Sequence, residues 1–131
     1  MPDIETREDL VQLMECFYSK ALTDEKIGHY FTRVIAMQME KHIPVIVDFW
    51  ETIVFNRPKY HGDTFGIHDR LHHLSPFNDE HFLRWISLFK ETANELFAGD
   101  KTELIKQRAE SIATVMRIKL VHSGISKPGN I

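Results

Sequence analysis

The sequence predicts an all-α domain. Two scarcities and one pattern point there. The chain carries 6 Gly and 5 Pro in 131 residues, where average usage would give about 9 and about 7. No stretch alternates apolar and polar residues over a useful strand length, whereas apolar residues recur at intervals of three and four along most of the chain. This length fits one hydrophobic core and not two. The domain is expected over residues 1–122, followed by a disordered tail at 123–131 that holds Gly124, Pro128 and Gly129.

The first helix is expected over residues 6–22, where Leu10, Leu13, Met14, Phe17, Tyr18 and Ala21 fall on one face and Thr6 with Asp9 outlines an N-cap. Thr23, Asp24 and Gly28 then break the pattern. The connection keeps Ile27, Tyr30 and Phe31, side chains a plain solvent loop does not need, so it should pack inward.

A second helix is expected at about 39–55, with Ile43, Ile46, Val47, Trp50, Ile53 and Val54 buried. Pro44 is tolerated in a first turn or at a kink, which places the start near Glu40 to Ile43. At 100° per residue, Ile46, Phe49 and Ile53 lie within about 40° of His42, so this histidine shares the apolar face. Its ring nitrogens need partners there.

Residues 56–66 read as a loop, with Pro58, Gly62, Asp63 and Gly66. A short helical piece at 67–74 follows, stopped by Pro76. Asn78 looks like the N-cap of a long helix ending at Gly99, with Phe82, Trp85, Ile86, Phe89, Ala93, Leu96 and Phe97 as its stripe. The last helix is expected to open at Asp100, with Glu103 in capping-box spacing, and to bury Ile105, Ala109, Ile112, Ala113, Met116 and Leu120.

Composition narrows function. A formal net charge of -3 without a Lys/Arg block argues against nucleic-acid and anionic-membrane partners. Cys16 is the lone cysteine, so neither an internal disulfide nor a Cys-x-x-Cys site is available. The acidic first eight residues are no signal peptide and no apolar run reaches the length of a membrane span, so a cytoplasmic protein is expected.

Histidine is in excess: His29, His42, His61, His68, His72, His73, His81 and His122. His68 and His72 have the spacing that puts two imidazoles on one helical face, and His42 or His61 could complete a zinc site. No Glu follows His68 as it does in the zinc-protease motif. A second reading is a flat apolar cavity with one ligating imidazole, since Tyr18, His42 and Trp85 put polar tips on apolar faces. The plain alternative makes Tyr18 and Trp85 core residues and His42 a satisfied boundary histidine.

Taken together, Phe17-Tyr18, Gly28-His29-Tyr30-Phe31, His42 seven residues before Phe49-Trp50, Tyr60-His61-Gly62 with His68 eight residues after Tyr60, and Phe82-Leu83-Arg84-Trp85 resemble the truncated haemoglobins of the third group. The resemblance covers roughly residues 3–120, and the lack of any Gly-Gly pair sets the chain apart from the first two groups. It implies a globin-like two-over-two helical sandwich around a non-covalently bound haem b. In that scheme His68 is the iron ligand, with His72 as a competing candidate. Tyr18, His42 and Trp85 are the distal polar residues; Phe31 packs on the haem, and Phe17, Ile46, Phe49 and Phe82 line the pocket. Tyr60 and Arg70 flank the proximal segment and are the expected propionate contacts.

Without a Cys-x-x-Cys-His motif, covalent haem attachment is excluded. The activity implied is binding of dioxygen and related diatomic ligands (nitric oxide, carbon monoxide), for redox chemistry with an unidentified electron donor or reductase rather than bulk transport. Two other readings remain open at this stage: peroxidase-like haem chemistry assisted by His42, and a haem-free helical interaction module whose histidines are surface groups. His29, His61, His72, His73, His81 and His122 are expected at the surface or in loops.

Overall fold

The computed structural model describes residues 1–30, 39–60, 62, 64, 66–68, 72 and 77–121, with the backbone of 122. Phe31, His61, Arg70, His73 and the expected tail lie outside these residues. Helix α1 runs Arg7–Ala21, α2 Met39–Val54, α3 Asp79–Leu96 and α4 Asp100–Arg117, the last continuing into a π-helical turn at Ile118–His122.

Caps explain where the helices begin. Thr6 and Asp9 form a reciprocal capping box on α1: Asp9 N–H donates to the Thr6 hydroxyl oxygen at 3.2 Å, and the Asp9 carboxylate accepts from Thr6 N–H at 3.0 Å. Asn78 does the same for α3 with His81 in the third position. At α4 the sequence reading needs correction. Asp100 is the first helical residue and no side chain of the Gly99 N-cap can serve. The cap comes from the other end of the chain, where the Asp3 carboxylate accepts from Lys101 N–H (2.9 Å), Thr102 N–H (2.9 Å) and the Thr102 hydroxyl (2.7 Å). Gly99 sits at φ +148, and a Cβ there would run into the Asp3 carboxyl group, so glycine is required. Ile4 is fully buried beside this cap, an anchor that an acidic N-terminus conceals.

The helices form two antiparallel pairs stacked on each other. α1 packs on α2 and α3, and α4 on α3 and α2. Antiparallel register is visible in the ties between α3 and α4, where Lys90 pairs with Glu110 at 2.6 Å and Lys106 donates to Asn94 at 2.7 Å. Arg7 to Asp48 (2.7 Å) near one end, and Tyr18 with His42 near the other, set the same register between α1 and α2. Leu10, Leu13, Met14, Phe17, Val47, Trp50, Phe89 and Ile105 fill the core between the pairs.

Helix α2 departs from the expected face. Its core-facing residues are Val47, Trp50, Glu51 and Val54, while Ile43, Ile46 and Ile53 are only half-buried. The helix therefore has two apolar aspects, one toward the core and one elsewhere. Glu51, 2 % exposed, is held by Arg7 at 3.1 Å and Arg57 at 3.9 Å, the charge pairing a buried carboxylate needs. The helix is described over Met39–Val54, within the expected span, with Pro44 inside it rather than in the first turn of the narrower start at Glu40 to Ile43. There its ring nitrogen offers the Glu40 carbonyl no donor. The connection after α1 packs inward as expected: Ile27 and Tyr30 are buried, and Asp24 caps its turn by accepting from Lys26 and Ile27 N–H.

Candidate functional site

The second aspect of α2 faces a cavity of about 170 Å³, bounded by helices α1 to α4 and the segment around His68. Its walls are mostly apolar with a few converging polar groups, the make-up of a ligand site. Ile46, Phe49 and Trp50 contribute from α2, Phe82 and Trp85 from α3, Ile112, Ala113 and Met116 from α4.

Tyr18, His42 and Trp85 are among the polar side chains that line the cavity. The Tyr18 hydroxyl lies 2.6 Å from His42 Nε2, with the rings edge to face. Burial pushes the Tyr18 phenol well above its ordinary value, so it keeps its proton. His42 is pushed down by burial and by the nearby His68 imidazole and is neutral at pH 7. Trp85 lies flat against Phe89 (centroids 5.5 Å apart, 22° between planes) and edge-on to Phe17, and it lines the cavity; among the described residues its indole N–H has no hydrogen-bond partner.

His68 lines the same cavity, close enough to His42 for the two imidazoles to interact. Its Nδ1 donates to the Thr64 carbonyl at 2.8 Å. That bond assigns the ring proton to Nδ1 and leaves the Nε2 lone pair without a partner among the described residues, at an apolar cavity. Burial lowers the imidazole's pKa, keeping the lone pair available. A neutral imidazole fixed through one nitrogen and open at the other has the chemistry of a metal ligand with its outer-shell acceptor in place.

His72 is differently occupied: its Nδ1 accepts from Phe77 N–H at 2.8 Å, its ring stacks on Phe77, and it does not reach the cavity. Among the described residues no three His, Cys, Asp or Glu side chains come together as a metal site, so the zinc reading has no cluster to rest on there.

Of the side chains singled out from sequence, Tyr18, His42, Ile46, Phe49, His68, Phe82 and Trp85 meet on this cavity. Phe17 is buried behind it, against Tyr18, Trp85 and Phe89. Tyr60 stands off the wall, edge-on to Phe49, its hydroxyl oxygen accepting from the Thr64 hydroxyl at 3.0 Å. Phe31 and Arg70 lie outside the described residues.

His81 corrects the expectation of a surface histidine. It lines the cavity, and its Nδ1 accepts from Asn78 N–H and from the Tyr30 hydroxyl at 3.1 Å. Its spacing from Asn78 was the available signal, since the third helical position is where a capping box closes. Tyr30, Thr64 and Ile67 also belong to the wall and were not singled out as site residues.

No protein-family model matches the chain. A curated protein of Campylobacter jejuni, described as group 3 truncated hemoglobin ctb, is 32% identical over 111 residues, covering 82% of this chain and 85% of its own length. The crystal structure of a group III truncated hemoglobin from the same organism superposes with a TM-score of 0.82 at 30% identity, over 95% of this chain and 98% of that one.

The chain belongs to the group III truncated haemoglobins. The two stacked antiparallel pairs are thus the two-over-two globin sandwich, and membership of this family implies haem binding. The residues present fit that group: an apolar slot, one imidazole lone pair that meets no donor among the described residues, and further polar side chains for a small ligand.

Proposed function

We propose that this truncated haemoglobin binds haem b through His68 Nε2 and takes dioxygen and related diatomic ligands beneath Tyr18, His42 and Trp85. The observation that supports this most directly is the His68 Nε2, which has no partner among the described residues and belongs to a side chain on the cavity that also carries the Tyr18–His42 pair. When bound, haem supplies a ferrous iron that accepts a neutral diatomic ligand and draws negative charge onto its outer atom.

The chain's own side chains then set how long such a ligand stays. His42, neutral and 2.6 Å from Tyr18, fixes the phenol's position; with its proton on Nε2 it donates to the phenol oxygen and leaves the Tyr18 O–H to turn into the cavity. The Trp85 N–H is a second donor, held by stacking on Phe89. Two neutral donors in a water-poor cavity stabilise developing negative charge strongly, because little solvent screens them. Phe49, Ile46 and Phe82 exclude water around them.

This arrangement favours retention over reversible carriage. Oxygen held in this way is suited to reaction with nitric oxide or a reductant, with the electron coming from a reductase or donor protein yet to be identified. Stopped-flow displacement of oxygen from the reconstituted ferrous protein tests the reading. Slow release is expected; release as fast as from a storage globin contradicts it.

A further inference from the structure

We propose that Tyr60 is a positioning residue for His68, acting through Thr64 as a strut from α2 to the proximal imidazole; this rests on the reading of His68 as the iron ligand. The strut starts at Thr52 on α2. Its hydroxyl donates to the Asp48 carbonyl at 2.8 Å, and its oxygen accepts from Lys59 N–H (3.1 Å) and Tyr60 N–H (3.0 Å), clamping the backbone just before the Tyr60 ring.

The ring is fixed on two further sides. Phe49 meets it edge-on, with centroids 5.2 Å apart and planes at 87°. Gly62 lies so close beneath it that a Cβ at that position would overlap the phenol oxygen and Cζ. Only a residue without a side chain lets the loop fold under the ring in this way.

Held on three sides, the Tyr60 oxygen accepts from the Thr64 hydroxyl at 3.0 Å. A helical threonine hydroxyl ordinarily turns back onto a carbonyl of its own helix. Here it points out to Tyr60, and this fixes the turn whose carbonyl takes the His68 Nδ1 proton at 2.8 Å. Each link sets the direction of the next, so the orientation and basicity of the His68 ring depend on a side chain that does not touch the cavity. The same helix α2 carries His42 and Phe49, so one rigid element sets both sides of the site.

The test is resonance Raman spectroscopy of the iron–histidine stretch in the reconstituted ferrous protein, with the rate of haem loss to an excess of acceptor apoprotein. Tyr60→Phe and Thr64→Val are expected to move the band to lower frequency and to speed haem loss by up to about tenfold, the low end of the outer-shell range, because the Thr64 carbonyl itself remains. Thr64→Ser keeps the hydroxyl and should retain the native band. Combining Tyr60→Phe with Thr64→Val should add nothing to either alone.

A native band in both Tyr60→Phe and Thr64→Val overturns the proposal. So does a shift in Thr64→Val with none in Tyr60→Phe, which would make Thr64 act without the strut. Should Tyr60→Phe fail to fold, Thr52→Val, which removes the clamp on the Tyr60 backbone, takes its place: the shifted band is expected, and a native band overturns the proposal. If His68→Gly leaves the wild-type band in place, the ligand assignment itself falls, a result distinct from any of these.

Discussion

Tyr18 and His42 illustrate how one short contact sets chemistry. The phenol keeps its proton because it is buried, and the imidazole stays neutral for the same reason, so their 2.6 Å contact joins two neutral groups whose shared proton can be placed either way. A ligand carrying negative charge selects the arrangement in which Tyr18 donates outward. A hydrogen bond to a charged group contributes about 1.5–3 kcal/mol. Tyr18→Phe and Trp85→Phe should therefore each raise the oxygen dissociation rate by at least about tenfold, measured by stopped-flow. An unchanged rate in both would remove them as ligand donors. The candidacy of these three residues was legible from helical phase, because each puts a polar tip on an apolar face. Which nitrogen of which histidine is free was not, because a ring's tautomer is fixed by its neighbour, and for His68 that neighbour is a backbone carbonyl.

At the scale of elements, helix phase was the dependable guide and helix ends were not. The box at Thr6 and Asp9 is local, hence readable. The cap of α4 joins Asp3 to Lys101 and Thr102, and no local pattern encodes a contact between the two ends of a chain. Partial burial would raise the Asp3 pKa, yet the bonds it accepts from the Thr102 side chain and from Lys101, Thr102 and Ile4 N–H hold it at about 2, against an ordinary 3.8. A depressed folded-state pKa means stability that is fully present above the ordinary value and disappears as pH falls toward about 2. The gap in denaturant midpoint between the wild type and Asp3→Asn should therefore be widest at pH 6 and shrink by pH 3. A gap that ignores pH would show that the carboxylate charge is not what caps α4. Gly99→Ala should cost about 1–3 kcal/mol in the same melts, the range for a backbone region that essentially only glycine occupies. No loss would mean that the loop relaxes around the new methyl group.

For the whole molecule, the two aspects of α2 matter most. A helix that only covered a core would bury one stripe; this one carries Val47, Trp50 and Val54 inward and His42, Ile46 and Phe49 onto the cavity. The apolar arc looks excessive in sequence because it serves two surfaces, and the second is completed by a ligand. A group that binds only the folded state raises stability with its concentration. Adding one equivalent of hemin to the apoprotein should raise its thermal midpoint by at least several degrees and give an intense Soret band, and His68→Ala should lose most of that rise. Equal stabilisation of wild type and His68→Ala would point to nonspecific adsorption on the apolar walls.

By itself the sequence determined that the chain is helical, where the amphipathic faces run, and that Tyr18, His42, His68 and Trp85 belong to one family pattern, because periodicity and spacing are properties of neighbours along the chain. Tertiary structure decided the rest: that His68 has one nitrogen without a partner among the described residues while His72 is engaged by Phe77, that His81 reaches the cavity, and that the Thr64 hydroxyl donates to Tyr60. Each depends on which donor meets which acceptor across distant segments, and that pairing exists only once the helices have packed.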